Sequence, residues 1–302
     1  MSRNSKAKRD KKVRSQKKGK PNQNHNKLSQ KLKSERVEYS DQWTNANAAH
    51  FEVGGYYKWM AGFVAGYNKI LEIGTGGGHG TLELAKRGHK IISIEENLTI
   101  LDSAEEYLAK NGITCTRIRR ESVSIGSDSY KINYRHILEA DIDDSYQVLL
   151  VEGDMLNDPS LFEWLKKEAP FDAVICWLMG THSARIYNDA IKARRIPSPG
   201  EYRLHVQNTV YELADEILRS NGRLHIVDRT QEPDHEEIRT GFLDAHKDQA
   251  SVTSLIVDSL DYIVYEEPSN ENKIEMCITV GLSGKIPAFT KMAFTSIYSH
   301  KP

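Results

Sequence analysis

From residue 69 onward the chain alternates short apolar runs with stretches whose apolar residues recur every three to four positions. An apolar run opens at Lys69, a second spans Lys90 to Ile94, and others cover Gln147 to Glu152, Phe171 to Leu178 and Arg223 to Val227. Runs of this length, bounded by turn residues, read as buried strands. Helical patterns fill the intervals. They run from Thr81 to Lys86, from Leu98 to Lys110 with Asn111-Gly112 as the stop, and from the capping pair Asp158-Pro159. Leu204 to Asn221 places Val206, Val210, Leu213, Ala214, Ile217 and Leu218 on one face, and Gly222 is its expected stop. Further helices are expected at Asp234 to His246 and Ser251 to Leu260, and closing strands at Tyr262 to Glu266 and Ile274 to Val280. Strand and helix in alternation predict a doubly wound α/β domain over residues 41–302.

Two intervals break the alternation. Between Ile113 and Tyr146, Ser122 to Ile125 and Tyr130 to Tyr134 flank Gly126-Ser127-Asp128, the pattern of a β-hairpin that covers a site or meets a partner. The other is the long segment Thr181 to Tyr202 (the insert near 181–203), which carries Arg185, Lys192, Arg194 and Arg195, with Arg203 just beyond. Such an excess suits an anionic substrate as well as it suits a solvated surface. Ahead of the first strand, Trp43, Phe51, Tyr56, Tyr57, Trp59, Phe63 and Tyr67 predict one or two helices packed on the sheet.

Chemistry concentrates between Lys69 and Gly80, which reads Lys-Ile-Leu-Glu-Ile-Gly-Thr-Gly-Gly-Gly-His-Gly. Glycines at a strand-to-helix turn let the backbone approach a ligand and aim its N–H groups at a polar end. The dinucleotide spacing fails in every register, because the position five residues on holds His79, Thr81 or Glu83. The series Glu72-x-Gly74-x-Gly76-x-Gly78 fits throughout, and it resembles the first motif of the class I S-adenosylmethionine-dependent methyltransferases.

That resemblance covers roughly Lys69 to Val280 and implies a mostly parallel, seven-stranded sheet, S-adenosyl-L-methionine as cofactor, and methyl transfer to an acceptor it does not name. It places Glu72 at the cofactor's ammonium, with Gly74, Thr75, Gly76 and Gly78 in the turn. Glu95 falls on the ribose-binding acid, with Glu96 as the neighbour one register away. Asp154 and Met155 fall at the adenine, and Trp177 lies where the fourth strand meets the transferred methyl. The end of that strand lacks the Asn/Asp-Pro-Pro-Tyr/Phe motif of base amine methylation, and Cys176 lacks a preceding proline. His182 is a candidate general base by its ordinary titration range, or a structural histidine. Tyr202 and Arg203 stand where acceptor contacts are expected. Gly76 to Leu82 also resembles aminopropyltransferases of the spermidine synthase type, but Met179-Gly180-Thr181-His182 lacks their paired acids. A non-catalytic nucleoside-fold protein that holds RNA is the other alternative.

Charge adds one feature. Through Arg36 there are fourteen Lys or Arg against two acids, on a chain whose formal net charge is −1. Residues 1–40 are therefore expected to be a disordered basic arm, with 1–36 able to neutralise nucleic-acid phosphates or to serve as a solubilising tail. The three cysteines are too widely spaced for a metal or redox pair, and His235-Glu236-Glu237 has Arg239 where a zinc site needs histidine, so no metal is expected. The cysteine usage suggests a reducing, cytoplasmic setting, or a nuclear one in a eukaryote, and no run approaches the length of a membrane span.

Overall fold

The computed structural model describes residues 23–142, 145–269, 271–274 and 291–302. Ten strands and nine helices are labelled here. Five central strands come first: β1 (Lys69–Ile73), β2 (Lys90–Glu95), β6 (Val148–Glu152), β7 (Phe171–Trp177) and β8 (Leu218–Gln231). They lie parallel to one another, with β1 between β2 and β7. Interior residues of β1, β2, β6 and β7 are nearly all buried, because helices cover both faces. The full order is β3-β6-β2-β1-β7-β8-β10-β9. This is the expected doubly wound sheet with eight strands in place of seven. The extra edge strand is β3 (Cys115–Ile118), parallel to β6.

One helical layer consists of α2 (Ala49–Val53), α3 (Tyr56–Gly62), α4 (His79–Ala85) and α5 (Leu98–Lys110), and its core includes Phe51, Met60, Leu82, Leu101 and Ile175. The opposite core joins α6 (Pro159–Glu168) and α8 (Pro199–Ile217) to the sheet through Leu161, Leu165, Val174, Val206, Val210 and Ala214. A short α7 (Asp189–Arg194) precedes α8. Asp158 caps α6 and Ser198 caps α8, each followed by proline in the first turn. No helix among the described residues is long and apolar enough to cross a membrane.

Four expectations are corrected. The arm expected to be disordered through residue 40 is helical from its middle, as α1 (Gln23–Asp41). Leu28, Leu32, Arg36 and Ser40 recur at one-turn intervals and are buried. The leucines pack on Tyr130, Ile132 and Ala184, so a narrow stripe gives this polar segment a docking face that its average composition hides. Residues 1–22 of the expected arm lie outside the described residues. Helix α8 stops at Ile217, four residues early, because β8 begins at Leu218. The helix expected at Ser251 to Leu260 does not form: α9 (Glu236–Ala250) ends just before it, and β9 (Ile256–Val264) takes its second half, where Ile256 and Val257 suit an edge strand. The final strand is β10 (Met292–His300), not 274–280, of which 275–280 lie outside the described residues. It inserts antiparallel between β8 and β9.

The hairpin appears where expected, as β4 (Glu121–Ile125) and β5 (Tyr130–Tyr134), a separate two-stranded sheet. It packs beneath α1.

Candidate functional site

A cavity of about 790 Å3 of empty space, counted out to its mouth, opens at the carboxyl ends of β1, β2, β6 and β7. Crevices at this edge of a doubly wound sheet are where ligands bind. From the predicted set, Glu72, Gly74, Thr75, Gly76, Glu95, Glu96, Met155, Trp177 and Tyr202 line it.

The glycine turn shapes one side. Gly74, Gly76 and Gly78 all have left-handed backbones, at φ 88°, 53° and 83°. At Gly76 a Cβ would also stand 2.7 Å from the indole Nε1 of Trp43, so glycine is needed there for both torsion and space. Glu72 is buried, and its Oε2 accepts hydrogen bonds from Thr81 and Ser93, both at 2.6 Å. Burial pushes its carboxyl up to about 7 despite those two bonds. Neither hydroxyl engages Oε1, which stands 3.3 Å from where a Cβ on Gly80 would lie. A ligand ammonium is the natural partner for this oxygen.

Glu95 and Glu96 are adjacent in sequence and opposite in character. Glu95 accepts backbone N–H bonds from Gly76 (3.1 Å) on Oε2 and from Glu96 (3.0 Å) and Asn97 (2.9 Å) on Oε1. Burial first, and then the charge of Glu96, push its carboxyl up to about 7. Glu96 lies deeper. Burial opposes its charge, but Arg185, His182 and Arg36 together hold its carboxyl well below the usual carboxylate range. Arg185 Nη1 is 3.5 Å, His182 Nε2 3.6 Å and Arg36 Nη2 3.7 Å from its oxygens. Glu95 is thus the better match to the expected sugar acid, and Glu96 is the hub of an ionic cluster.

The same cluster claims two further candidates. Asp154 does not line the cavity. Its Oδ2 accepts a 2.7 Å bond from Arg185 and its Oδ1 one from the Leu156 amide at 2.9 Å, so Arg185 takes the carboxylate expected at the adenine. His182 lines neither this cavity nor its neighbour, and both its ring nitrogens are buried without a hydrogen-bond partner. A general base facing an acceptor is not what this position provides. Arg36 completes the cluster, bonding Glu121 of the hairpin at 2.7 and 2.9 Å.

Trp177 sits at the end of β7, its ring against Gly80. Its indole N–H donates to His225 Nδ1 at 3.0 Å, and His225 Nε2 lies 2.7 Å from Ser296 Oγ. The indole is a donor only, which makes Nδ1 the acceptor and Nε2 the protonated nitrogen. Burial pushes His225 down to about 3, so it stays neutral and fixes the ring.

A second cavity adjoins the first, sharing Tyr39, Trp43, Leu178, Met179, Gly180 and Thr181 with it. Pro199, Arg203, Asp228, Arg229 and Ile274 line the remainder. Tyr202 and Arg203, both expected to meet an acceptor, therefore divide between the two cavities. The cations of the 181–203 segment are largely committed within the protein. Arg185 pairs with Asp154, Lys192 bonds Asp128, Arg194 bonds the Leu156 carbonyl, and Arg203 lies 3.7 Å from Asp228.

Sequence reasoning missed Tyr39 and read Trp43 first as a packing aromatic, whereas both line both cavities. The signal was available, since Leu28, Leu32, Arg36, Tyr39 and Trp43 follow a three-to-four spacing. Asp228, at the carboxyl half of β8, carried no motif. No group of three or more His, Cys, Asp or Glu side chains among the described residues is placed to hold a metal ion.

No family model and no curated protein matches the chain. Solved structures do resemble it in fold. A ribosomal protein L11 methylase from Lactobacillus delbrueckii subsp. bulgaricus is 11% identical over 83% of this chain and 79% of its own, with a TM-score of 0.41. The glycopeptide N-methyltransferase MtfA is 12% identical over 82% and 95%, with a TM-score of 0.43. A precorrin 8W decarboxylase from Methanobacterium thermoautotrophicum is 16% identical over 82% and 89%, with a TM-score of 0.40.

Proposed function

We propose that the chain is an S-adenosylmethionine-dependent methyltransferase. The observation that carries this reading is the single cavity that brings Glu72, the glycine turn from Gly74, and Glu95 together at the ends of β1 and β2. Its size suits a nucleoside-sized ligand.

The residues present fit the cofactor at each of its three parts, though at the purine not through the expected acid. Glu72 Oε1 would hold the ammonium, and the glycine turn leaves the space that a Cβ would fill. Glu95 would accept from the ribose hydroxyls. At the purine the fit is made by Gly153, Met155, Ile94 and Ile100, which also line the cavity, and not by Asp154. The bound cofactor supplies a methyl group already activated on a sulfonium. The protein's part is then to orient the reactants, exclude water and take a proton from the acceptor. Trp177, held by His225, and Met179 add apolar surface to the cofactor cavity.

Calorimetry with S-adenosylmethionine, its decarboxylated form and NAD tests the reading. Binding of the first alone supports it. Tighter binding of the decarboxylated form would favour aminopropyl transfer, and heat from none would leave the RNA-holding alternative. Residues 1–36 as a nucleic-acid contact are a separate proposal, supported by the basic composition alone.

A further inference from the structure

The second cavity contains one polar group whose state needs explaining. Asp228 is 6% exposed, and its Oδ2 accepts a 2.8 Å bond from Gln207. Its Oδ1 is buried without a hydrogen-bond partner. The Nε of Arg203 lies 3.7 Å away, close enough to balance charge and too far to bond. A buried carboxylate oxygen left unbonded is costly, and such orphans are few in folded proteins. The cavity it lines is otherwise walled by the aromatic rings of Tyr39 and Trp43 and by Leu178, Met179, Pro199 and Ile274, with about 570 Å3 of empty space. Arg229, also on its wall, is engaged by Tyr265 and Glu267.

We infer that this chamber is the acceptor site, and that Asp228 Oδ1 binds the acceptor's nucleophile. The inference rests on the methyltransferase reading for its chemistry. It assigns the acceptor class as a small molecule with an aromatic or apolar body and a nucleophile carrying its own hydrogen, an amine or hydroxyl. A carboxylate acceptor would face Asp228 and be repelled. A polymer is disfavoured because α1, the start of α8 and Ile274 all contribute to the chamber's lining, and the nearby cations are engaged within the protein.

The step balances simply. The acceptor's N–H or O–H donates to Oδ1 while its lone pair faces the cofactor cavity across Met179 and Gly180. The new N–C or O–C bond forms as the sulfonium S–CH3 bond breaks, and that bond's electron pair stays on sulfur. The proton of the alkylated atom passes to Oδ1 and then to water. Gly180 opens the passage, since a Cβ there would lie 2.6 Å from the Tyr39 hydroxyl.

The test uses the full-length protein and four probes: phenethylamine, tyramine, 2-phenylethanol and phenylacetate. Binding is measured by calorimetry with and without S-adenosylhomocysteine, and methyl transfer from S-adenosylmethionine by mass spectrometry. The amine or hydroxyl probes should bind and at least one should be methylated, whereas phenylacetate should do neither. Asp228→Asn should weaken probe binding roughly tenfold or more, the loss expected for a charged acceptor, and leave S-adenosylhomocysteine affinity unchanged. Ile274→Trp, which puts bulk into the chamber from another lining position, should do the same and guards against a folding defect in the first variant. Equal binding of phenylacetate, no probe binding to a protein that holds S-adenosylhomocysteine, indifference to both variants, or methylation of a mixed-sequence RNA in place of the probes would each overturn the inference. Loss of S-adenosylhomocysteine binding in the unaltered protein would instead sink the cofactor reading, and the probe arm without cofactor would still decide the chamber.

Discussion

The cofactor cavity has two walls of different origin. The sheet wall, from Glu72 to Glu95, is made of consecutive elements whose strands are buried on both faces, so apolar packing holds it. The helical wall, with Tyr39 and Trp43, comes from a polar segment that buries two leucines and one ionic cluster. One wall is specified locally and anchored in the core. The other is specified by pairings across more than fifty residues, such as Arg36 with Glu96 and Glu121. The difference implies that the two walls fail differently: damage to the first abolishes binding in an intact fold, and damage to the second detaches a wall.

Deleting residues 1–36 should have the largest effect, because it removes Leu28, Leu32 and Arg36. Loss of S-adenosylhomocysteine binding together with a lower melting temperature is expected. Unchanged binding would show that the helical wall is not part of the site. Arg185→Ala should follow, leaving Asp154 and Glu96 buried beside an absent cation. A loss of about 3–5 kcal/mol in urea unfolding is expected, and a change within noise would remove the cluster as the anchor. Gly76→Val acts on the sheet wall. Affinity should fall beyond calorimetric detection, with a stability loss of about 1–3 kcal/mol from the left-handed backbone, smaller than that of Arg185→Ala; intact binding with a larger stability loss than Arg185→Ala would reverse the comparison.

A smaller effect comes from protons. Glu72 with its carboxyl near 7 is partly protonated at neutral pH, and a ligand ammonium needs it charged. Affinity should therefore rise with pH up to about 7 and then level, with protons released on binding in buffers of different ionisation heat. Glu72→Gln should flatten that rise. For stability the sign is opposite. A carboxyl raised in the folded state binds more protons than in the unfolded chain, so its contribution falls as pH climbs from about 4.5 to 7. Deleting only residues 1–22 should change neither stability nor cofactor affinity. If deleting residues 1–36 leaves RNA affinity and its salt dependence unchanged, the nucleic-acid proposal for the arm fails.

Much of the sheet wall was legible because its signals are short-range. Apolar runs marked β1, β2, β6 and β7, and the spacing from Glu72 to Glu95 placed the acid beside the turn. Asp154 shows the limit of such spacing. Its position at the end of β6 is as expected, but its direction is set by Arg185, thirty-one residues on in sequence and invisible to local pattern. His182 fits the structural alternative, since it lies 3.6 Å from Glu96 in the ionic cluster and lines neither cavity. β3 was missed because Cys-Thr-Arg-Ile has no apolar alternation, and α1 because a stripe of two leucines is lost when composition is averaged over a basic arm. The first half of the edge strand β9 was read as helix although Ile256 and Val257 favour a pleated surface, while its end, Tyr262 to Val264, falls within the strand expected at Tyr262 to Glu266.

The route by which α1 joins the body bears on when the protein first becomes competent. Synthesised before the elements it docks on, this helix lacks the partners of Leu28 and Leu32 until the hairpin and the Ser183–Tyr187 turn have been made, and Lys31 bonds Tyr187 across 156 residues. Ligand capture should then be a late event in biosynthesis, waiting on the return of the oldest part of the chain to some of its newer parts.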